Sequence, residues 1–241
     1  DGEALLAAVA EHDPDIVVLS NPNNPTGTLT PETLLIDLLA ATDALVLVDE
    51  AYFEFSRQTL RPHMERNPNL AILRTFSKAF SLAGLRAGYL LASEDVVHEL
   101  TKVRQPYSVN RFTQVAAALA FRERVVFEAG VRETMRNRDH LLHGLDALPG
   151  VEVFPSEANF VLFRVEHASA VWRDLLHDHS ILVRDLSRAA GLEDCLRVTV
   201  GNDEEVGRFL AAMDEIMASK RAAAHFGMNA TAQRHLGRGG Q

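Results

Sequence analysis

The chain has 241 residues, 47% hydrophobic and 24% charged, the balance of an ordinary globular protein with room for one large core or two modest domains. Its net charge of −9 argues against a general nucleic-acid binder, yet permits an anionic ligand held by one or two arginines. The single cysteine, Cys195, rules out an internal disulfide and points to a reducing, cytoplasmic setting, and no apolar run approaches the ~20 residues of a membrane span.

The opening DGEALLAAVAEHDPD begins acidic and turns into an amphipathic helix pattern, unlike a signal peptide. DIVVLS (15–20) is a strand candidate. In TPETLLIDLLAA (30–41) Thr30 is the expected cap and Pro31 the first helical residue. ALVLVDE (44–50), LAILRTF (70–76) and AGYLLAS (87–93) supply three further strands. These runs are near-continuous Val, Leu and Ile, the pattern of strands covered on both faces. Strands separated by helices predict an α/β fold with a mostly parallel sheet. Polar residues cluster after the strands, at 20–27, 49–52 and 75–78, where open α/β sheets bind ligands.

Residues 94–147 read as helical and charged, with Asn110 and Arg111 opening a helix and Leu148-Pro149-Gly150 closing the stretch. A smaller α/β unit follows: VEVF, NFVLFRV, a helix over 168–179, ILVR, CLRVTV and a last helix introduced by an Asn202–Glu205 capping box. The expected division is a large domain over 1–140, a small one over 141–217, and a mobile basic tail over 218–241 carrying Lys220, Arg221, Arg234 and Arg238.

Lys78 in TFSKAF stands among hydroxyl and apolar residues directly after a strand, a poor place for a solvated amine. Taken singly, the neighbouring signals have ordinary readings. SNPNNPTGT, with Asn24, reads as an Asn-Pro turn, and Asp49 as a strand-end acid or a magnesium ligand, although no GxxxxGK[ST] loop accompanies it. One chemistry uses them together. A lysine amine condenses with the aldehyde of pyridoxal phosphate, which calls for a lysine held inside a cleft. A carboxylate keeps the pyridine nitrogen protonated, an amide and a phenol reach the ring hydroxyl, and hydroxyls with an arginine clamp the phosphate.

NPNNPTG, DEAYFEF and TFSKAFSLAGLRAGY, followed by ANFVLFR, ILVRDLS and CLRVTVG, resemble in order the fold-type I, class I/II aminotransferases, most closely the histidinol-phosphate aminotransferase branch, over about residues 2–217. The resemblance implies Lys78 as the Schiff-base lysine and proton-transfer base, and Asp49 at the pyridinium nitrogen. It implies Asn24 and Tyr52 at the ring hydroxyl, and Thr75, Ser77 and Arg86 at the phosphate. Arg197 would receive a substrate carboxylate or its anionic equivalent, and Arg184 a second anion. The implied reaction is transamination of histidinol phosphate with 2-oxoglutarate and glutamate as the other pair. An amino donor and a 2-oxo acid acceptor are then the partners, without nucleic acid or membrane, and the complete enzyme is a homodimer.

The chain departs from the family in lacking counterparts of its upstream phosphate-binding loop and of three further sheet strands. It therefore reads as an N-terminally truncated piece that binds cofactor weakly or not at all alone. Three rivals stay open: an aromatic or broad-range aminotransferase, a threonine-phosphate decarboxylase-like lyase, and an inert truncated copy. Ten histidines include His140 and His143 three apart, but no HExxH or paired-Cys motif exists, so no metal is expected. No GxGxxG or GxSxG follows a strand, which leaves dehydrogenase and serine-hydrolase readings without support.

Overall fold

A computed structural model describes residues 2–236 of the chain, with side chains described through 222. The chain divides into two compact units, 1–136 with 155–160, and 137–154 with 161–241. The division thus falls four residues before the expected boundary, and the short segment 155–160 returns to the first unit.

In the first unit, helix α1 (Gly2–His12) leads to β1 (Ile16–Ser20), α2 (Glu32–Ala41), β2 (Leu45–Asp49), the short α3 (Phe53–Ser56), β3 (Leu70–Thr75) and β4 (Gly88–Leu91). Three further helices follow: α4 (Glu94–Val103), α5 (Arg111–Arg122) and α6 (Glu128–Asp146), the last of which runs on into the second unit. The sheet order is β1-β2-β3-β4, with β1, β2 and β3 parallel and β4 antiparallel to β3. The reversal of β4 follows from its connection. Residues 76–87 contain only a 3-10 turn at Ala83–Leu85, and without a helix they return the chain to the same end of the sheet. Gly88 permits the pairing, because a Cβ there would stand 2.6 Å from the Arg74 carbonyl oxygen.

Val17, Val46, Val48, Leu70 and Ile72 face one side of this sheet and bury against Val9 of α1 and Leu35, Leu38 and Leu39 of α2. Each large side chain so buried contributes about 1.5–3 kcal/mol. Because both helices cover that one face, Ile16 and Val18 on the other side of β1 remain 56% and 64% exposed. The continuous apolar run therefore does not mark a strand covered on both faces here. Helix α2 also begins one residue later than expected: Pro31 is its N-cap, and the Thr30 N–H donates to Asn21 Oδ1 instead (2.7 Å). Asn110 does cap α5, its Oδ1 accepting from the Thr113 N–H at 2.9 Å.

The second unit carries β5 (Val151–Val153), β6 (Phe160–Val165), α7 (Ala168–His177), β7 (Arg184–Asp185), β8 (Cys195–Thr199) and α8 (Asp203–Leu236), in the sheet order β5-β6-β8-β7. Val206, Phe209, Met213 and Ile216 recur at helical spacing along α8 and bury with Val161, Phe163, Leu175, Leu196 and Val198. The capping box is present in both directions: Asn202 Oδ1 accepts from the Glu205 N–H, and Glu205 Oε2 from the Asn202 N–H, each at 2.9 Å. β7 is shorter than ILVR suggested. The Ile181 N–H is drawn back to the Leu175 carbonyl at the end of α7, so only Arg184 and Asp185 reach the ladder. Helix α8 runs on to Leu236, through the stretch from 218 expected as a tail, because Lys220 to Ala224 are strong helix formers. Residues 237–241 of that expected tail lie outside the described residues. No helix among the described residues is long and apolar enough to cross a membrane.

Candidate active site

Parallel pairing brings the carboxyl ends of β1, β2 and β3 to one rim, with Ser20 opposite Asp49 and Asp49 opposite Leu73. Antiparallel β4 starts from the same rim, since Thr75 pairs with Gly88. The turn after β1, the acid ending β2, the loop after β3 and the residues entering β4 therefore lie along one edge, as the sequence clusters suggested.

The turn after β1 is held by bonds from the Asn23 N–H to Thr28 O and from the Gly27 N–H to Asn23 O (2.8 and 2.7 Å), with Asn24 exposed at its tip. Gly27 sits at φ +79°, and a Cβ there would collide with Ser156, whose segment docks on the turn through Glu157 N–H to Gly27 O (2.8 Å). On β2, Asp49 Oδ1 accepts from the Ala51 N–H at 2.9 Å, which fixes the carboxylate against the start of α3. Tyr52 is buried, its ring edge-on to Phe160 at 5.3 Å.

Two buried phenylalanines build the loop around Lys78. Phe76 and Phe80, 5.1 Å apart, pack with Ala87 and Ala120, and Phe80 also meets Phe127. Anchored two residues to either side, Lys78 is pushed outward at the apex, and its Nζ lies 5.7 Å from the centre of the Tyr52 ring. The lysine is consequently exposed and not enclosed as the sequence suggested: it leaves the sheet at a strand end, where its own strand and loop build no wall over it. The Thr75 hydroxyl donates to Ser77 Oγ at 2.9 Å and accepts from the Ser77 N–H at 3.0 Å. Ser81 and Arg86 both adopt left-handed backbone, at φ 54° and 51°, so the loop carries strain at both flanks of its turn. Arg86 is exposed and donates to Ala83 O at 3.3 Å.

In the second unit Arg184 of β7 and Arg197 of β8 are direct cross-strand partners, which places both guanidinium stems on the same face of that sheet.

Behind the rim lies a group that sequence reading passed over. Glu50, 1% exposed, accepts from Arg74 Nε and Nη2 (3.1 and 2.8 Å), from the Thr59 hydroxyl (2.8 Å) and from the Leu60 N–H (2.8 Å). Arg74 stacks on Phe53 at 3.5 Å and also reaches Thr59 Oγ1 (2.8 Å). The usable signal was an acid just past one strand and an arginine at the matching position of the next. Arg74, Phe53 and Glu54 border a cavity of about 280 Å³ whose other walls include Phe80, Phe121 and Phe127. Burial pushes the Glu54 carboxyl above its ordinary range, against the pull of Arg74 and Arg57. Among the described residues, no group of three or more His, Cys, Asp and Glu could hold a metal ion.

The family described as aminotransferase class I and II matches residues 1–213. A histidinol-phosphate aminotransferase of Thermoanaerobacter pseudethanolicus is 38% identical over 217 residues, which are 90% of this chain and 61% of that protein. The structure of histidinol-phosphate aminotransferase from Sinorhizobium meliloti in complex with pyridoxal-5'-phosphate superposes with a TM-score of 0.81 at 31% identity, over 91% of this chain and 61% of that one. L-threonine-O-3-phosphate decarboxylase from Porphyromonas gingivalis follows at 0.78 and 30%, over 86% and 66%. The chain thus spans about three fifths of the length of the curated relatives it matches.

Proposed function

We propose, for a chain that belongs to the class I and II aminotransferase family, transamination of histidinol phosphate, with glutamate and 2-oxoglutarate as the second amino and oxo pair. Pyridoxal phosphate is the cofactor, and the donor set on the rim fits it. The Lys78 amine is free of ion pairing to a carboxylate among the described contacts and suits an aldehyde. The Asp49 carboxylate stands ready for a protonated ring nitrogen, and the linked hydroxyls of Thr75 and Ser77 suit a phosphate. When bound, the cofactor supplies an electron sink for the substrate's α-carbon.

The residues divide the work. Asp49 would hold negative charge at the ring nitrogen, and Asn24 with Tyr52 would serve the ring hydroxyl. Arg86 would neutralise charge on the phosphate, and the Thr75 and Ser77 hydroxyls would hydrogen-bond its oxygens. Lys78 Nζ would take the proton from the substrate carbon that bears the amine and hold it as the conjugate acid for return. Arg184 and Arg197 bind anionic groups of the substrate, and the complete enzyme works as a homodimer.

The cross-strand arginine pair carries the choice of substrate. Two cations directly opposite on one sheet face repel each other, a cost that an anion of high charge density offsets. A phosphate-bearing substrate meets that requirement better than an aromatic amino acid. Threonine phosphate meets it too, and the 30% identity to the decarboxylase supports that second reading.

The test has two steps. Because the chain alone is expected to hold the cofactor weakly, it is titrated to a large excess of pyridoxal phosphate, reduced with borohydride and mapped; preferential label on Lys78, lost in Lys78→Ala, is the expected result, and label without preference for Lys78 would end the proposal. Coupled assays with histidinol phosphate, phenylalanine and threonine phosphate then separate the substrates. Turnover of histidinol phosphate to an oxo product is expected, whereas carbon dioxide release from threonine phosphate would replace transamination with decarboxylation.

A further inference from the structure

By strand alternation Asp49, Leu73 and Thr75 face one side of the first unit's sheet, while Glu50 and Arg74 face the other. Glu50 immediately follows the acid assigned to the cofactor, and Arg74 immediately precedes the loop that carries Thr75, Ser77 and Lys78. Their ion pair, in which Arg74 Nε and Nη2 converge on Glu50 Oε2 and the side chains are 1% and 9% exposed, therefore joins the two strand ends from behind the rim. The Glu50 N–H to Leu73 O bond (2.9 Å) adds a main-chain tie at the same level. Glu50 Oε2 accepts from Arg74 Nε and Nη2 and from the Thr59 hydroxyl, and Oε1 accepts from the Leu60 N–H, so four donors engage this buried carboxylate in structure. Arg74 is in turn fixed by the Phe53 ring and by Thr59.

We propose that Glu50 and Arg74 are positioning residues, a rear clamp that sets where the Asp49 carboxylate stands relative to the Lys78 loop. The inference rests on the roles given to Asp49 and Lys78 above. Two N–H groups of one rigid guanidinium converging on a single carboxylate oxygen, with the ring of Phe53 against the guanidinium, restrict distance and angle more than a single hydrogen bond does. Its geometric importance follows from the sensitivity of catalysis to misplacement, where about 1 Å can cost a hundredfold in rate. The clamp also cancels the charge of Glu50, leaving Asp49 as the acid whose charge acts at the rim.

Arg74→Met alone strands the buried Glu50 charge and confounds folding with positioning, so the decisive variant is Glu50→Gln with Arg74→Met. Replacing both partners by neutral groups of similar size is often close to neutral for stability. The double variant should melt close to the parent. Amide exchange over residues 75–81 should nevertheless become about tenfold faster, with helix α2 unchanged. With pyridoxal phosphate present, kcat for the amino donor should fall about tenfold or more while KM stays within about threefold. Should the double variant recover both the melting temperature and parental exchange over 75–81, the clamp is merely structural and the proposal is overturned. A parent chain that takes no label at Lys78 would end the functional reading, and the exchange comparison, which needs no cofactor, would still decide the clamp.

Discussion

Gly88→Ala offers a sharp check on the geometry of the rim, because two physical effects oppose each other in sign. Gly88 is not among the residues with positive φ, so alanine can adopt its backbone, and on intrinsic grounds alone the change should stabilise the strand by about 0.5–1 kcal/mol. The added Cβ, however, would lie 2.6 Å from the Arg74 carbonyl oxygen, a backbone atom, whereas ordinary contact begins at 3.4 Å. Relief requires β3 and β4 to part by about 0.8 Å, and a ladder bond of about 2.9 Å stretched that far leaves hydrogen-bonding range. Losing the two flanking bonds costs about 1 kcal/mol each. After the intrinsic gain is set against that, the variant should be less stable by about 1–1.5 kcal/mol. Urea unfolding followed by circular dichroism, with an unchanged m-value, measures this directly. Because Thr75 pairs with Gly88, cofactor affinity should weaken in parallel. A variant as stable as the parent, or more so, would refute the close approach of β4 to β3.

Asp49→Ala should still allow label on Lys78 but lower turnover by about a hundredfold or more, since the ring nitrogen loses the charge that keeps it protonated; single-turnover kinetics would reveal this, and undiminished turnover would remove Asp49 from its role. Glu54→Gln tests the buried acid behind the loop. Burial raises the folded-state value, so Glu54 contributes stability fully below its unfolded value and loses it as pH rises through the folded one. The glutamine variant should therefore be the more stable protein near pH 7 and lose that advantage near pH 4; equal unfolding curves at both would show that Glu54 is well solvated.

The strands and their loaded ends were legible because apolar runs of five or six residues bounded by polar clusters leave few alternatives. DIVVLS, ALVLVDE and LAILRTF became β1, β2 and β3 almost to the residue. Composition could not reveal how many layers cover a strand: Ile16 and Val18 read as core residues, yet both helices of the unit's first stretch pack on the opposite face. Periodicity likewise misjudged ILVR, where a hydrogen bond back to α7 takes the residue that would have extended the ladder. Glu50 shows a different blindness. Its partner is 24 residues distant on another strand, so nothing local separates it from the many acids that end strands in water. The outward pose of Lys78 was hidden for a similar reason, since it depends on how Phe76 and Phe80 seat against Ala87 and Ala120.

The reversed direction of β4 has a consequence for the freedom of the chain. Residues 76–87 leave one strand and enter its immediate neighbour, so both ends of the loop are pinned by the same ladder, and the Leu82 N–H to Phe76 O bond (3.1 Å) divides the interior again. A segment closed this tightly loses most of its conformational entropy when the sheet forms, before any ligand arrives. Hydroxyls and an amine that would otherwise have to be ordered one by one at the moment of binding are already constrained, so more of their contact energy is available as affinity.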